Sequence, residues 1–80
     1  MDTRIALIGI IVEDISKTEQ LQTLLHDYSK YIVGRLGIPY RDKNINIICI
    51  VIDATNDIIS SLSGKIGMIK GVKSKTLYQR

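Results

Sequence analysis

The chain holds one histidine and one cysteine, and any side-chain chemistry has to be built around them. His26 is followed by Asp27. A histidine with a carboxylate beside it is the pairing of a general base with its orienting group. On a helix, however, side chains that meet are three or four residues apart, and consecutive ones diverge. His26 also follows Leu24 and Leu25 at the border of an apolar stripe, which suits a histidine at a helix surface or subunit contact. Cys49 lies among isoleucines, where a thiol behaves as a small hydrophobe. One His and one Cys so far apart in sequence cannot build a metal site within a single chain. There is no Cys-x-x-Cys, Walker loop, Gly-x-Gly-x-x-Gly or Gly-x-Ser-x-Gly. Gly64-Lys65-Ile66-Gly67 has the look of a phosphate loop, but it falls late in a helix rather than before one and reads as a small-residue helix end. No catalytic residue, metal or cofactor is therefore expected, and the chain is not expected to be an enzyme.

The basic residues are unevenly placed. Residues 1–64 carry six basic and eight acidic side chains, whereas residues 65–80 carry Lys65, Lys70, Lys73, Lys75 and Arg80 with no acid, leaving a net charge of +3. Such a stripe could touch phosphate by charge alone. The simpler reading is structural: Lys73 and Lys75 guard an edge strand against aggregation, and Lys65 and Lys70 sit near a helix C-terminus, where the dipole favours cations. An RNA-recognition module would need aromatic platforms on its central strands, and those strands have none. Direct nucleic-acid binding is disfavoured.

Eighty residues, 45% hydrophobic and 24% charged, make one globular domain with one core. The longest nearly apolar run, Ile5 to Val12, is eight residues, against about 20 for a membrane span. It has no small-residue cleavage site, so it does not read as a signal peptide. The lone cysteine suits a reducing compartment. A soluble cytoplasmic domain without membrane attachment is expected.

The elements that position these residues follow from periodicity. Thr3 to Val12 reads as a strand. Ile15 and Ser16 open a helix, with Ser16-Lys17-Thr18-Glu19 fitting a capping box and Leu21, Leu24, Leu25, Tyr28 and Ile32 as its apolar stripe. Gly34 and Gly37-Ile38-Pro39 break that pattern, and a strand is expected to enter at about Val33. Ile45 to Ile52 is the clearest strand. Thr55 or Asn56 caps a second helix whose core face is Ile58, Ile59, Leu62, Ile66 and Ile69. Gly67 and Gly71 stop it, and Val72 to Tyr78 is the last strand. The order β-α-β-β-α-β at this length predicts an α+β, ferredoxin-like fold: a four-stranded antiparallel sheet with both helices on one face, residues 1–80 forming a single domain.

That fold leaves a sheet face uncovered, and it should alternate to polar if it meets water. It does not. In the first strand Ala6, Ile8, Ile10 and Val12 share one parity, while Ile5, Leu7, Gly9 and Ile11 share the other. In the third, Ile45, Ile47, Cys49 and Val51 oppose Ile48, Ile50 and Ile52. The 16 isoleucines are too many for one face. An apolar patch of this size exceeds what monomers usually expose. The second face is expected to be buried in a homo-oligomer, a dimer or tetramer.

Three segments carry a family resemblance: Leu24-Leu25-His26-Asp27-Tyr28-Ser29, Arg35-Leu36-Gly37-Ile38-Pro39-Tyr40, and Leu62-Ser63-Gly64-Lys65-Ile66-Gly67 with Gly71-Val72. Together they resemble small proteins described as iron-only hydrogenase system regulators, along essentially the whole chain. Members look like stand-alone ferredoxin-like domains, related to ACT domains and to the C-terminal domain of the nickel-responsive repressor. The resemblance implies a regulatory role, that of a transcriptional regulator included, tied to iron-only hydrogenase expression or maturation. The repressor binds nickel here through a helix histidine, a His-x-His pair and a cysteine. His26 matches the first, but the other positions fall on Gly37, Pro39 and Ile45, and Cys49 comes four residues too late. The nickel site does not carry over. ACT domains bind ligands near the first strand-to-helix loop, which here is Glu13-Asp14-Ile15-Ser16, without the glycine typical of amino-acid binders.

The leading expectation is thus a regulatory or ligand-sensing oligomeric domain. It would act through an unknown small-molecule effector or protein partner, with His26, Tyr28, Arg35 and Tyr40 near the ligand. The alternative is a purely structural oligomerisation or protein-interaction domain without its own ligand.

Overall fold

The computed structural model describes residues 2–79; Met1 and Arg80, the last cation of the basic segment, lie outside them. Four strands and two helices alternate as expected: β1 (Arg4–Val12), α1 (Thr18–Asp27), β2 (Ile32–Tyr40), β3 (Ile45–Ala54), α2 (Asn56–Gly67) and β4 (Val72–Tyr78). The strands form one antiparallel sheet in the order β2-β3-β1-β4. Both helices cover the same face. Alternation within β1 and β3 aims Ala6, Ile8, Ile10, Val12, Ile48, Ile50 and Ile52 at Leu21 and Leu25 of α1 and at Ile59, Leu62 and Ile66 of α2, and all are buried.

Local chemistry sets the element ends, with one correction to the capping box. A single 3₁₀ turn, Ile15–Lys17, precedes α1, and its cap is Asp14, which accepts from the Ser16 backbone N–H at 3.1 Å and from the Ser16 hydroxyl at 2.6 Å. Asp14, two residues earlier, takes the capping role through an Asx turn, and Ser16 donates to it instead of capping the helix. Those bonds, the hydroxyl's first, hold the Asp14 carboxyl below its ordinary range, and the Lys17 charge adds to them. The apolar stripe also stops short: α1 ends at Asp27, Tyr28 lies beyond it, and Ile32 belongs to β2. Thr55 caps α2 by accepting from the Ile58 N–H at 3.4 Å.

β2 runs straight through Gly34, Gly37 and Pro39, which the sequence pattern reads as breaks. Its partner β3 is a full-length apolar strand that templates the pairing. An edge position tolerates a proline, whose missing N–H need not join a ladder. Val33 is the extra residue of a bulge between Ile32 and Gly34, and it stands exposed. Asn46, the polar interruption in β3, has a reason: its amide donates to Thr18 Oγ1 at 2.9 Å, tying the strand to the start of α1.

The β1–α1 and α2–β4 connections close on one another at Gly71. Its carbonyl accepts from the Glu13 and Asp14 N–H groups at 2.7 and 3.0 Å. Its φ of +81° lies in the left-handed region, and an added Cβ would sit 2.5 Å from the Asp14 Cβ. Only glycine fits there.

Candidate functional site

The face away from the helices is the largest feature the fold leaves unexplained. Register places its side chains in rows across the sheet: Gly34, Val51, Leu7 and Leu77; then Leu36, Cys49, Gly9 and Lys75; then Ile38, Ile47, Ile11 and Lys73. Tyr40 and Ile45 extend it at one end. Ile5, Leu7 and Ile11 are between 39% and 42% exposed, and Leu36 is 60% exposed. Polar side chains are confined mainly to the β4 margin, where Lys73 makes an exposed ion pair of 3.7 Å with Glu13. Such a pair contributes little. An open groove of about 720 Å³ is lined by Gly9, Ile11, Ile47, Lys73 and Lys75 and reaches Gly67 at the end of α2.

The four residues that the sequence nominates do not converge within one chain. His26 is exposed in the last turn of α1. Arg35 points to the helix side, where its guanidinium donates to the Gln22 side chain of α1. Tyr40 lies on the other side of the same strand and is 42% exposed. Tyr28 is half-buried just after α1, and its hydroxyl is 2.8 Å from Ser61 Oγ of α2. The Lys65 ammonium lies 5.3 Å from the centre of the same ring. The Ser61 bond, then a bond from Lys65 and its charge, draw the Tyr28 phenol below its ordinary pKa, against the Asp27 charge and slight burial.

Two features escape the sequence reading. Ser61 is 33 residues from Tyr28, and no local pattern links them; only helix packing does. A smaller groove of about 320 Å³ lies between the start of α1 and β2, with Thr18, Gln22 and Asn46 among its walls. Gly37 and Pro39, the positions matched to the His-x-His pair of the nickel-responsive repressor, line it without a ligating nitrogen. Among the described residues, no three His, Cys, Asp or Glu side chains cluster to hold a metal. None of the described helices is long and apolar enough to cross a membrane.

A four-stranded antiparallel sheet with two helices on one face and an apolar open face is a ferredoxin-like, ACT-like domain. Residues 4–76 match the TM1266-like family, described as "Iron-only hydrogenase system regulator, putative", and the chain belongs to that family. The solved structure of the uncharacterized protein TM1266 from Thermotoga maritima is 41% identical, covers 99% of this chain and 100% of its own, and superposes with a TM-score of 0.94. No curated protein matches the chain.

Proposed function

We propose that the chain is a cytoplasmic regulatory module of the iron-only hydrogenase system, not an enzyme, and that it works as a homo-oligomer assembled through its open sheet face. The observation that carries this reading is the continuous apolar surface of β1, β2 and β3, set in a family whose members are described as regulators of that system. A small-molecule effector or protein partner regulates by binding one assembly state more tightly than another, because equal affinity shifts nothing. Within one chain Arg35 and Tyr40 face opposite ways, so His26, Tyr28, Arg35 and Tyr40 can serve one ligand only where chains meet.

Three measurements test this. Sedimentation and light scattering at micromolar concentration should give an oligomer; a 9.0 kDa species at every concentration refutes the assembly. A thermal-shift screen with metals, amino acids and nucleotides should raise the melting temperature with the effector class, since a ligand of the native state stabilises it. A stable oligomer that responds to none of these compounds supports the structural alternative. Deleting the coding sequence in the host should alter hydrogenase activity or transcript level, and unchanged levels of both would remove the regulatory link.

A further inference from the structure

The groove between the start of α1 and β2 owes its space to a missing side chain. Arg35, Gly37 and Pro39 alternate onto the helix side of β2, opposite Ile50, Ile48 and Asn46 of β3. Gly37 stands in the middle, and a Cβ built there meets no atom within 4 Å. Its φ is not in the left-handed region, so the backbone does not call for glycine either. What remains is an open space of about 320 Å³, with Ile48, Thr18, Gln22 and Asn46 among its walls.

The polar groups lie at its two ends. At one end the Arg35 guanidinium donates to the Gln22 side chain. That bond uses one of the five N–H donors that an arginine carries in a rigid fork. Among the described residues the only ion pair joins Lys73 to Glu13, so no carboxylate neutralises Arg35. No acidic residue lines the groove. At the other end the Asn46 amide donates to Thr18 Oγ1 at 2.9 Å, which leaves the Asn46 carbonyl oxygen and the Thr18 hydroxyl proton for another partner. The strand spans about 13 Å from Arg35 to Pro39, which faces Asn46, at about 3.3 Å per residue.

We infer that this groove binds a short carboxylic acid with a neutral polar group at its far end, the carboxylate on Arg35 and the polar end between Asn46 and Thr18. A planar carboxylate matches the guanidinium fork and supplies the negative charge that the chain does not. An amide or hydroxyl end matches the paired acceptor and donor of Asn46 and Thr18. Ile48 and Pro39 offer apolar surface to the methylenes between. At about 30 Å³ per water-sized group the space takes roughly ten non-hydrogen atoms. As an effector site the groove rests on the regulatory reading above and names its ligand class. As a binding site it is complete within one chain and does not require assembly.

The test uses succinamate, the half-amide of succinic acid, and succinamide, in which a second amide replaces the carboxylate. Magnetic resonance titration of the isotope-labelled full chain with succinamate should give saturable shifts at the Gly37 backbone and at the Gln22 and Asn46 side-chain amides. Half-saturation is expected below about 20 mM. Succinamide on the wild type, and succinamate on Arg35→Met, should each bind about tenfold more weakly or worse, because each lacks the charge-assisted bonds. Gly37→Val fills the groove with a residue suited to strands and should abolish the shifts. If that variant fails to fold, Arg35→Met and the neutral probe decide. Lys75→Met, on the opposite face, should bind as the wild type does. No saturable shift with succinamate, equal binding of succinamide, or an equal loss in Lys75→Met overturns the site. Binding by a chain that stays monomeric keeps the site and overturns only the assembly; an oligomer that does not bind succinamate does the reverse.

Discussion

The two faces of the sheet are written in nearly the same residues and sit in opposite environments. On β1, Ile8 and Ile10 are at most 1% exposed, while Ile5 and Ile11 are each 42% exposed; on β3, Ile50 is fully buried beside half-buried Cys49 and Val51. Hydrophobicity alone does not distinguish them. The difference is what lies above: Leu21, Leu25, Ile59, Leu62 and Ile66 close one side, and nothing among the described residues closes the other. Burial stabilises by about 25 cal/mol per Å² of apolar surface removed from water. The helix side realises that within the chain, and the open side leaves its apolar surface facing water.

Neighbouring residues of β3 give the most direct way to break the comparison. Ile50→Ala should cost about 2–5 kcal/mol, because it opens a cavity in a closed core. Val51→Ala, one position along on the other face, should cost the dilute chain about 1 kcal/mol or less. Urea unfolding at low protein concentration reads both. Equal costs would mean that the open face is not functionally distinct from the core.

Glycines on the two sides of the fold sharpen the same contrast. Gly71→Ala forces a side chain into the left-handed region and against the Asp14 side chain, and should destabilise by about 1–3 kcal/mol. Gly9→Ala meets open space and should leave the stability of the dilute chain within about 0.5 kcal/mol. A comparable loss for both would show that Gly9 serves the fold and not an interface.

Concentration supplies a third, smaller measure. If the open face assembles, the melting temperature should climb by about 4 °C per tenfold increase in protein, since association stabilises only the folded chain. Ile11→Ser, at the open face, should flatten that dependence more than it lowers the melting temperature at high dilution. A melting temperature independent of concentration in the wild type would leave the apolar face without an assembly role.

Periodicity made most of this architecture readable in advance, where each element carried its own signal. β4 begins at Val72 because Gly71 must precede it, and α2 begins where Thr55 can cap it. The parity of Ile5, Leu7, Gly9 and Ile11 was enough to predict the apolar face. The failures share a cause, in that the deciding partner is distant in sequence. β2 reads as broken at Gly37 and Pro39 until β3 is laid beside it. Ser16 reads as a cap until Asp14 is seen to accept from it. Arg35 and Tyr40 look like neighbours in one motif, but their positions on β2 send them to opposite faces. The Tyr28–Ser61 contact has no sequence signal at all, because only the packing of α1 on α2 creates it.

That contact offers the smallest and most local effect, on the helix side where the chain is self-sufficient. Because Ser61 and Lys65 favour the phenolate, folding lowers the Tyr28 pKa. A lowered acid pKa contributes stability that is fully present above the unfolded-state value, near 10, and is lost as pH falls through the folded-state value. At neutral pH the effect is therefore silent. Ultraviolet absorbance titration should show a tyrosine component below the ordinary range that disappears in Tyr28→Phe. Ser61→Ala and Lys65→Met should each move that component upward, because each removes a contribution that lowers it. The shift should not depend on protein concentration, because both partners come from the same chain. A component that moves with dilution would instead place Tyr28 at a subunit contact, so that the helix side too would depend on assembly.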